Sequence, residues 1–238
     1  MSNEPAKVND YLMYLDKSDL SQIIRNNGYF ELETTELAKS LIKPTDICLD
    51  IGSHIGYFTL LMAKRCSFVH AFEPNIENYI TLQSNVRLNK LNNVITHNIA
   101  IAQSVGSVTL CLNNTNSGMH RIYCVNWCSG NHYVVDTRNI DSLFSKVDFI
   151  KMDAEGSEYG ALLGMENVLR KNDIKMIMEF HPPSIREYGI EPKKIFEFME
   201  YLGYEVTLIG SNPNFNYEYI EKITSDPKGG YNLLCQKK

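Results

Sequence analysis

The chain has 238 residues, 44 % of them hydrophobic, enough for one well-packed α/β domain and an accessory segment but not for two large domains. Its 23 basic and 28 acidic residues give a net charge of −5, and no stretch gathers enough Lys or Arg to follow a phosphate backbone, so nucleic acid is not an expected partner. The sequence holds neither 18 continuous apolar residues nor a basic segment leading into an apolar one at its start, which predicts a cytoplasmic protein with no membrane span.

Residues 1–43 are expected to form a helical N-terminal cap or lid, since 8–42 stands outside the strand–helix alternation as a helical stretch. Within it YLMYLDKSDLSQIIRNNGYFELE (11–33) is amphipathic, rich in Tyr and ahead of the first strand, a helix packed permanently on the sheet being the alternative. Residues 44–238 are expected to form the main domain. DICLDI (46–51) reads as a short buried strand, IGYFTLLMAKR as a helix, and SFVHAFEP as a second strand ending at Glu73 and Pro74, which makes a βαβ unit. NIENYITLQSNVRLNKL continues as a helix, NVITHNIAIA as a strand, and SVTLCL as an added hairpin strand. VDFIKMD (147–153) is a strand, SEYGALLGMENVLRK a helix, IKMIMEF (174–180) a strand and EPKKIFEFMEYLGY a helix, with EVTLIG and YNLLCQK closing as a hairpin. This alternation predicts a mostly parallel sheet with an antiparallel last strand and helices on both faces. The polar stretch 113–135 and the loop 210–230 break the alternation and are read as lid or substrate loops. The six cysteines are scattered, and Cys124 and Cys128 lack a usual zinc spacing, so ordinary packing is expected of that pair.

Parallel sheets bind ligands at the C-terminal ends of their strands. A nicotinamide fingerprint there would read G-x-G-x-x-G, since a pyrophosphate must approach bare backbone. This chain has Asp50, Gly52 and Gly56 instead, with Ser53 and His54 inside the turn, an arrangement that would crowd a pyrophosphate. It suits a ligand whose amino-acid portion carries an ammonium that Asp50 can hold, and a side chain at Gly52 is expected to intrude on that portion. S-adenosylmethionine is such a ligand. Glu73, with Pro74 after it, ends the second strand where a carboxylate can accept from both ribose hydroxyls, and the next strand end brings Asn98 and Ala100 against the adenine.

LDIGSHIGYFTLLMAK, AFEPN, LNKLNNV and above all DFIKMDAEGSEYGALLG resemble the FkbM-type family of S-adenosylmethionine-dependent methyltransferases, over about residues 28–205. The resemblance implies a Rossmann-like class I methyltransferase fold, a cofactor site over Asp50, Gly52, Gly56 and Glu73, and methylation of hydroxyls on sugars or natural products. Ser53 and His54 stand where the family pattern has Ala and Asn.

From the residues themselves, Asp153 and Glu155 follow an apolar strand, and Glu179 and His181 end the next one, so the four are expected to share one cleft. Helix capping by Asp153 or Ser157 is the plainer reading of the first pair. Methyl transfer to an alcohol needs oriented acceptors and a base for the hydroxyl proton; His181 is the first choice and Asp153 the second. A divalent metal on Asp153, Glu179 and His181 is a competing use, although no metal is expected. EFHPP lacks the amide and the aromatic of the N-P-P-Y signature of nucleic-acid amine methylation. The expected acceptor is a saccharide or another small molecule. A protein side chain or nitrogen acceptor, and a non-catalytic nucleotide-binding module, are the alternatives.

Overall fold

The computed structural model describes residues 4–122, 131–210, 217–225 and 230–238. It opens with an antiparallel hairpin, β1 (Ala6–Val8) and β2 (Tyr11–Met13), before α1 (Asp19–Asn27) and α2 (Leu32–Leu41). The expectation of a wholly helical segment over 8–42 is corrected there: Tyr11, Leu12 and Met13 alternate buried, exposed, buried, which is the period of a strand. The apolar residues of this segment, among them Val8, Met13, Ile24 and Ala38, join the same core cluster as Cys48, Leu60, Leu61 and Val69 of the main domain.

The main domain then runs through β3 (Ile47–Ile51), α3 (Tyr57–Ala63), β4 (Phe68–Phe72), α4 (Ile76–Leu88) and β5 (Val94–His97). A side excursion follows, made of β6 (Ala100–Ile101), β7 (Gly106–Cys111), β8 (Arg121–Ile122) and β9 (His132–Arg138). The chain returns through α5 (Ile140–Leu143), β10 (Phe149–Met152), α6 (Glu158–Leu163), α7 (Glu166–Lys171), β11 (Lys175–Phe180), α8 (Pro182–Glu187) and α9 (Lys193–Tyr201). It ends with β12 (Tyr204–Leu208), α10 (Tyr217–Ser225) and β13 (Tyr231–Lys237). Seven strands form the main sheet in the order β12-β13-β11-β10-β3-β4-β5, and only β13 runs antiparallel to its neighbours. This is the expected mostly parallel sheet with one antiparallel strand at its chain end and helices on both faces.

Side chains alternate across the sheet as a period of two demands. Leu49, Ile51, Ile150, Met152, Met176 and Met178 pack on one face under α6, α7 and α9, while Cys48, Phe149 and Ile177 pack on the other under α2 and α3.

The side excursion is a four-stranded sheet in the order β6-β9-β7-β8. The single strand expected over NVITHNIAIA is therefore two, with the chain leaving the main sheet after His97 so that Ala100 pairs with Thr137. The polar stretch 113–135 contains β8 and part of β9, and the loop 210–230 contains α10, whose Ile223 is buried. Cys124 and Cys128 lie outside the described residues. Cys48, Cys66 and Cys235 are buried free thiols, whereas Cys111 is disulfide-bonded.

Candidate active site

The carboxyl ends of β3, β4, β10 and β11 open into one cleft. Its floor is the turn after β3. Gly52 and Ser53 both donate their N–H to the Phe72 carbonyl at 3.0 Å, and Gly56 closes the turn on the Ser53 carbonyl at 2.8 Å. Gly52 has φ +79° and lies so close to the end of β10 that an added Cβ would sit 1.7 Å from the Asp153 carbonyl oxygen. The glycine is therefore required first by the neighbouring backbone, not by a ligand, which corrects the reason expected for it. At Gly56, φ +96°, an added Cβ would stand 2.6 Å from Cδ1 of Leu82 of α4, the tip of a flexible side chain and not backbone.

Asp50 ends β3 wholly buried, and Thr59 of α3 donates its hydroxyl to it. Burial pushes the Asp50 carboxyl up to about 6, against the Thr59 hydrogen bond and the Lys151 charge. Glu73, also buried, ends β4. Its two oxygens accept the backbone N–H groups of His54 and Asn75, each at 2.8 Å, so it clasps the β3 turn to the start of α4, and burial raises its pKa. His54 takes a positive φ of 49° in this clasp, and its Nε2 is 2.8 Å from the Ser117 hydroxyl.

The wall formed at the β4 and β6 ends differs from expectation at one residue. Ile99, Ala100 and Ile101 line the cleft, but Asn98 does not; its amide donates to the carbonyls of Glu73 and Pro74, both at 2.9 Å, and so braces the β4 end from behind. Pro74 itself is on the wall.

At the other end of the cleft Asp153, Glu155 and Glu179 bring carboxylate oxygens within 4.8 Å of one another. The Asp153 N–H is held by the Ile51 carbonyl at 2.9 Å. Glu155 has φ +53° and faces Arg121 of β8 at 3.9 Å. Burial, followed by the Asp153 charge, raises Glu155 and Glu179 well above the usual carboxylate range. Glu158 stands behind them, accepting the N–H groups of Ala154 and Gly156 at 3.0 and 3.1 Å, with its pKa pushed up to about 7 by burial. Neither Asp153 nor Ser157 supplies a side-chain cap to α6. Plain capping therefore does not account for this group.

His181 departs from the expected cluster. Its Nδ1 accepts the Ser184 N–H at 3.2 Å and lies 2.7 Å from the Ser184 hydroxyl, capping α8, and the residue is not on the cleft wall. The signal was in the sequence: two prolines directly after a polar residue suit the first turn of a helix, where a missing N–H has no cost.

Several wall residues went unread in the sequence. Lys151, 2 % exposed, lies 3.6 Å from Asp153; its trace was a lone Lys within an apolar strand. Phe30, Glu31, Asp19 and Leu20 reach the cleft from the N-terminal segment, and Asn116, Ser117, Gly118, Met119 and His120 from the excursion. Asp16 ties these two parts together. It accepts hydrogen bonds from Ser18, Ser21 and Ser117 and faces His54 at 3.4 Å; although burial opposes the charge, these contacts hold its carboxyl far below the usual range. No local pattern marks Asp16 and Ser117, which are 101 residues apart.

The family model described as Methyltransferase FkbM domain matches residues 50–206, more than half of the chain. A tRNA(Phe) (4-demethylwyosine(37)-C(7)) aminocarboxypropyltransferase of Methanocaldococcus jannaschii is 35 % identical over 83 residues, covering 34 % of this chain and 32 % of that protein. The crystal structure of an FkbM methyltransferase from Methylobacillus flagellatus KT superposes with a TM-score of 0.52 at 18 % identity, covering 93 % of this chain and 56 % of that one. A protein of Streptococcus mutans solved in complex with SAH superposes with a TM-score of 0.54 at 10 % identity, over 88 % and 99 % of the two chains. The chain thus spans a third of the archaeal relative and little more than half of the Methylobacillus protein. Among the described residues no helix is long and apolar enough to cross a membrane.

Proposed function

The chain belongs to the FkbM methyltransferase family, and from that membership we propose that it moves the methyl group of S-adenosylmethionine to a hydroxyl of a saccharide or glycosylated metabolite. The observation that carries this reading is the division of one cleft into two chemically different ends. The β3 turn, Glu73 and the Ile99–Ile101 wall suit a nucleoside with an amino-acid tail, and the Asp153, Glu155 and Glu179 carboxylates suit a ligand rich in hydroxyl donors.

The cofactor fits the residues present. Asp50 is a buried carboxylate at the methionine end, Glu73 keeps lone pairs beyond the two amide bonds it accepts, and the apolar wall offers a face to adenine. When bound, S-adenosylmethionine supplies a methyl on a positively charged sulfur that leaves with the electron pair of the carbon–sulfur bond. The chain must then orient the attacking oxygen and receive its proton. Asp153 takes that proton, with Glu155 and Glu179 holding neighbouring hydroxyls. His181, engaged with α8, passes from base to support of the β11 end.

A tRNA acceptor is the second reading, favoured by the archaeal relative's substrate. The net charge of −5 and three carboxylates at the acceptor end oppose a phosphate backbone. Transfer of tritiated methyl from S-adenosylmethionine into a pool of methyl glycosides and, separately, into unmodified bulk tRNA decides between them. Label in the glycosides supports the first reading; label in the tRNA alone refutes it.

A further inference from the structure

Lys151 is the residue of the cleft whose burial is hardest to explain by packing. It lies in the middle of β10, between Ile150 and Met152, with its side chain 2 % exposed and its Nζ buried without a hydrogen-bond acceptor. A buried ammonium without such partners is unfavourable unless charge compensates it. Here charge does so from several elements. Asp153 Oδ2 is 3.6 Å away, Asp50 pairs with Lys151 across the β3–β10 ladder, Glu31 reaches in from the N-terminal segment and Glu179 from β11, and the Phe58 ring of α3 lies 5.0 Å from Nζ. Burial disfavours the charged amine, but these four carboxylates outweigh it and hold the Lys151 pKa above its usual value.

Asp153 sees the opposite surroundings. Glu155, Glu179 and Glu158 all face it with like charge, while Arg121 lies 3.9 Å from Glu155 and pairs at 2.6 Å with Glu187. Left to themselves, crowded carboxylates share protons.

We propose that Lys151 is a positioning residue of the transfer, whose ammonium, fixed in the strand beneath, keeps the Asp153 carboxylate turned into the cleft and ready to accept the acceptor's hydroxyl proton. The inference rests on the reading of Asp153 as the base. It also gives a reason for a cation in a strand that is otherwise apolar: the β10 position opposite Asp50 is the one from which a single charge serves both ends of the cleft.

The test uses the full chain with Lys151→Met, and reads turnover against pH with tritiated S-adenosylmethionine and the methyl glycoside pool. The expected result is a fall of roughly tenfold or more near neutrality with the acid limb moved up by about one pH unit or more. A purely structural lysine would lower the active fraction equally at every pH, so an unmoved acid limb overturns the proposal. If circular dichroism shows the Met variant unfolded, the same coupling is read from the lysine itself. Carbon-13 at the lysine ε position, with the Lys151 signal assigned by its loss in Lys151→Arg, is titrated in the wild type and in Asp153→Asn. The midpoint should fall by about one pH unit or more in the Asn variant, and an unchanged midpoint overturns the proposal. A glycoside pool that takes no methyl refutes the saccharide reading alone, and the lysine titration then decides this inference by itself.

Discussion

Gly52→Ala and Gly28→Ala form a matched pair that isolates the contact on which the cleft is built. Both glycines are left-handed, with φ +79° and +81°, so each alanine carries the same backbone strain of about 1–2 kcal/mol. Around Gly28, which ends α1, an added Cβ meets nothing within 4 Å, whereas at Gly52 it would stand 1.7 Å from the Asp153 carbonyl oxygen and 2.8 Å from its carbon. Neither is the end of a flexible side chain, so the turn or the β10 end must shift, adding roughly 1–3 kcal/mol of overpacking. Urea unfolding should give a loss of about 1–2 kcal/mol for Gly28→Ala and about 2–5 kcal/mol for Gly52→Ala, with the slope unchanged in both. The melting temperature of Gly52→Ala should then lie roughly 2–12 °C below that of Gly28→Ala. Calorimetry with S-adenosylhomocysteine should show weakened binding in Gly52→Ala only. Equal losses of stability in the two variants would refute the argument, since the close approach to Asp153 is what distinguishes them.

Asp153→Asn is expected to lower turnover by a factor on the order of 10² to 10⁴, as loss of a general base does, while His181→Ala should cost about 0.5–2 kcal/mol of stability as a lost cap and leave turnover within a few-fold of the wild type; steady-state assays with thermal melts check both, and a His181→Ala enzyme that is stable but inactive would return the base role to the imidazole. Glu73→Ala strands the buried N–H groups of His54 and Asn75, so it should reduce stability by about 2–5 kcal/mol even without ligand as well as weaken S-adenosylhomocysteine binding, and a fully stable apo variant would show that the clasp is unimportant. Glu158 has its folded pKa raised to about 7, so the native state binds the extra proton and the stability it contributes, present below about pH 4.5, is lost as pH rises through 7. Glu158→Gln should therefore flatten the decline in melting temperature between pH 5 and 8, a change worth up to about 3 kcal/mol; a wild-type melting temperature that does not fall over that range would contradict the shift.

The main-sheet strands from residue 44 onward and most helices between them were legible because hydrophobic period is a local property, whereas β8, part of β9 and α10 lie in stretches expected to be loops. The buried parallel strands are short continuous apolar runs, and the helices between them carry the longer repeat. The turn after β3 was legible for a related reason, since Asp50, Gly52 and Gly56 sit within seven residues and a strand-to-helix junction restricts what can stand there. The convergence of Asp153, Glu155 and Glu179 was legible because neighbouring parallel strands in register bring their ends together: Met152 pairs with Met178, so the residues that follow must meet.

What only the tertiary structure decided are the partners that no local pattern encodes. Asn98 and His181 have the right chemistry at the right strand ends, yet one braces the Glu73 and Pro74 carbonyls and the other caps α8, because unsatisfied backbone groups nearby claim polar side chains first. Gly52 was read as room for a ligand, and it proves to be room for the Asp153 carbonyl on a strand about 100 residues further along the chain. Lys151, a lone charge in an apolar strand, acquires its meaning only when Asp50, Glu31, Asp153 and Glu179 converge on it from separate elements. Sequence determines each residue's chemistry and its local period; which groups lose their water together, and so which charges depend on one another, is settled only by packing.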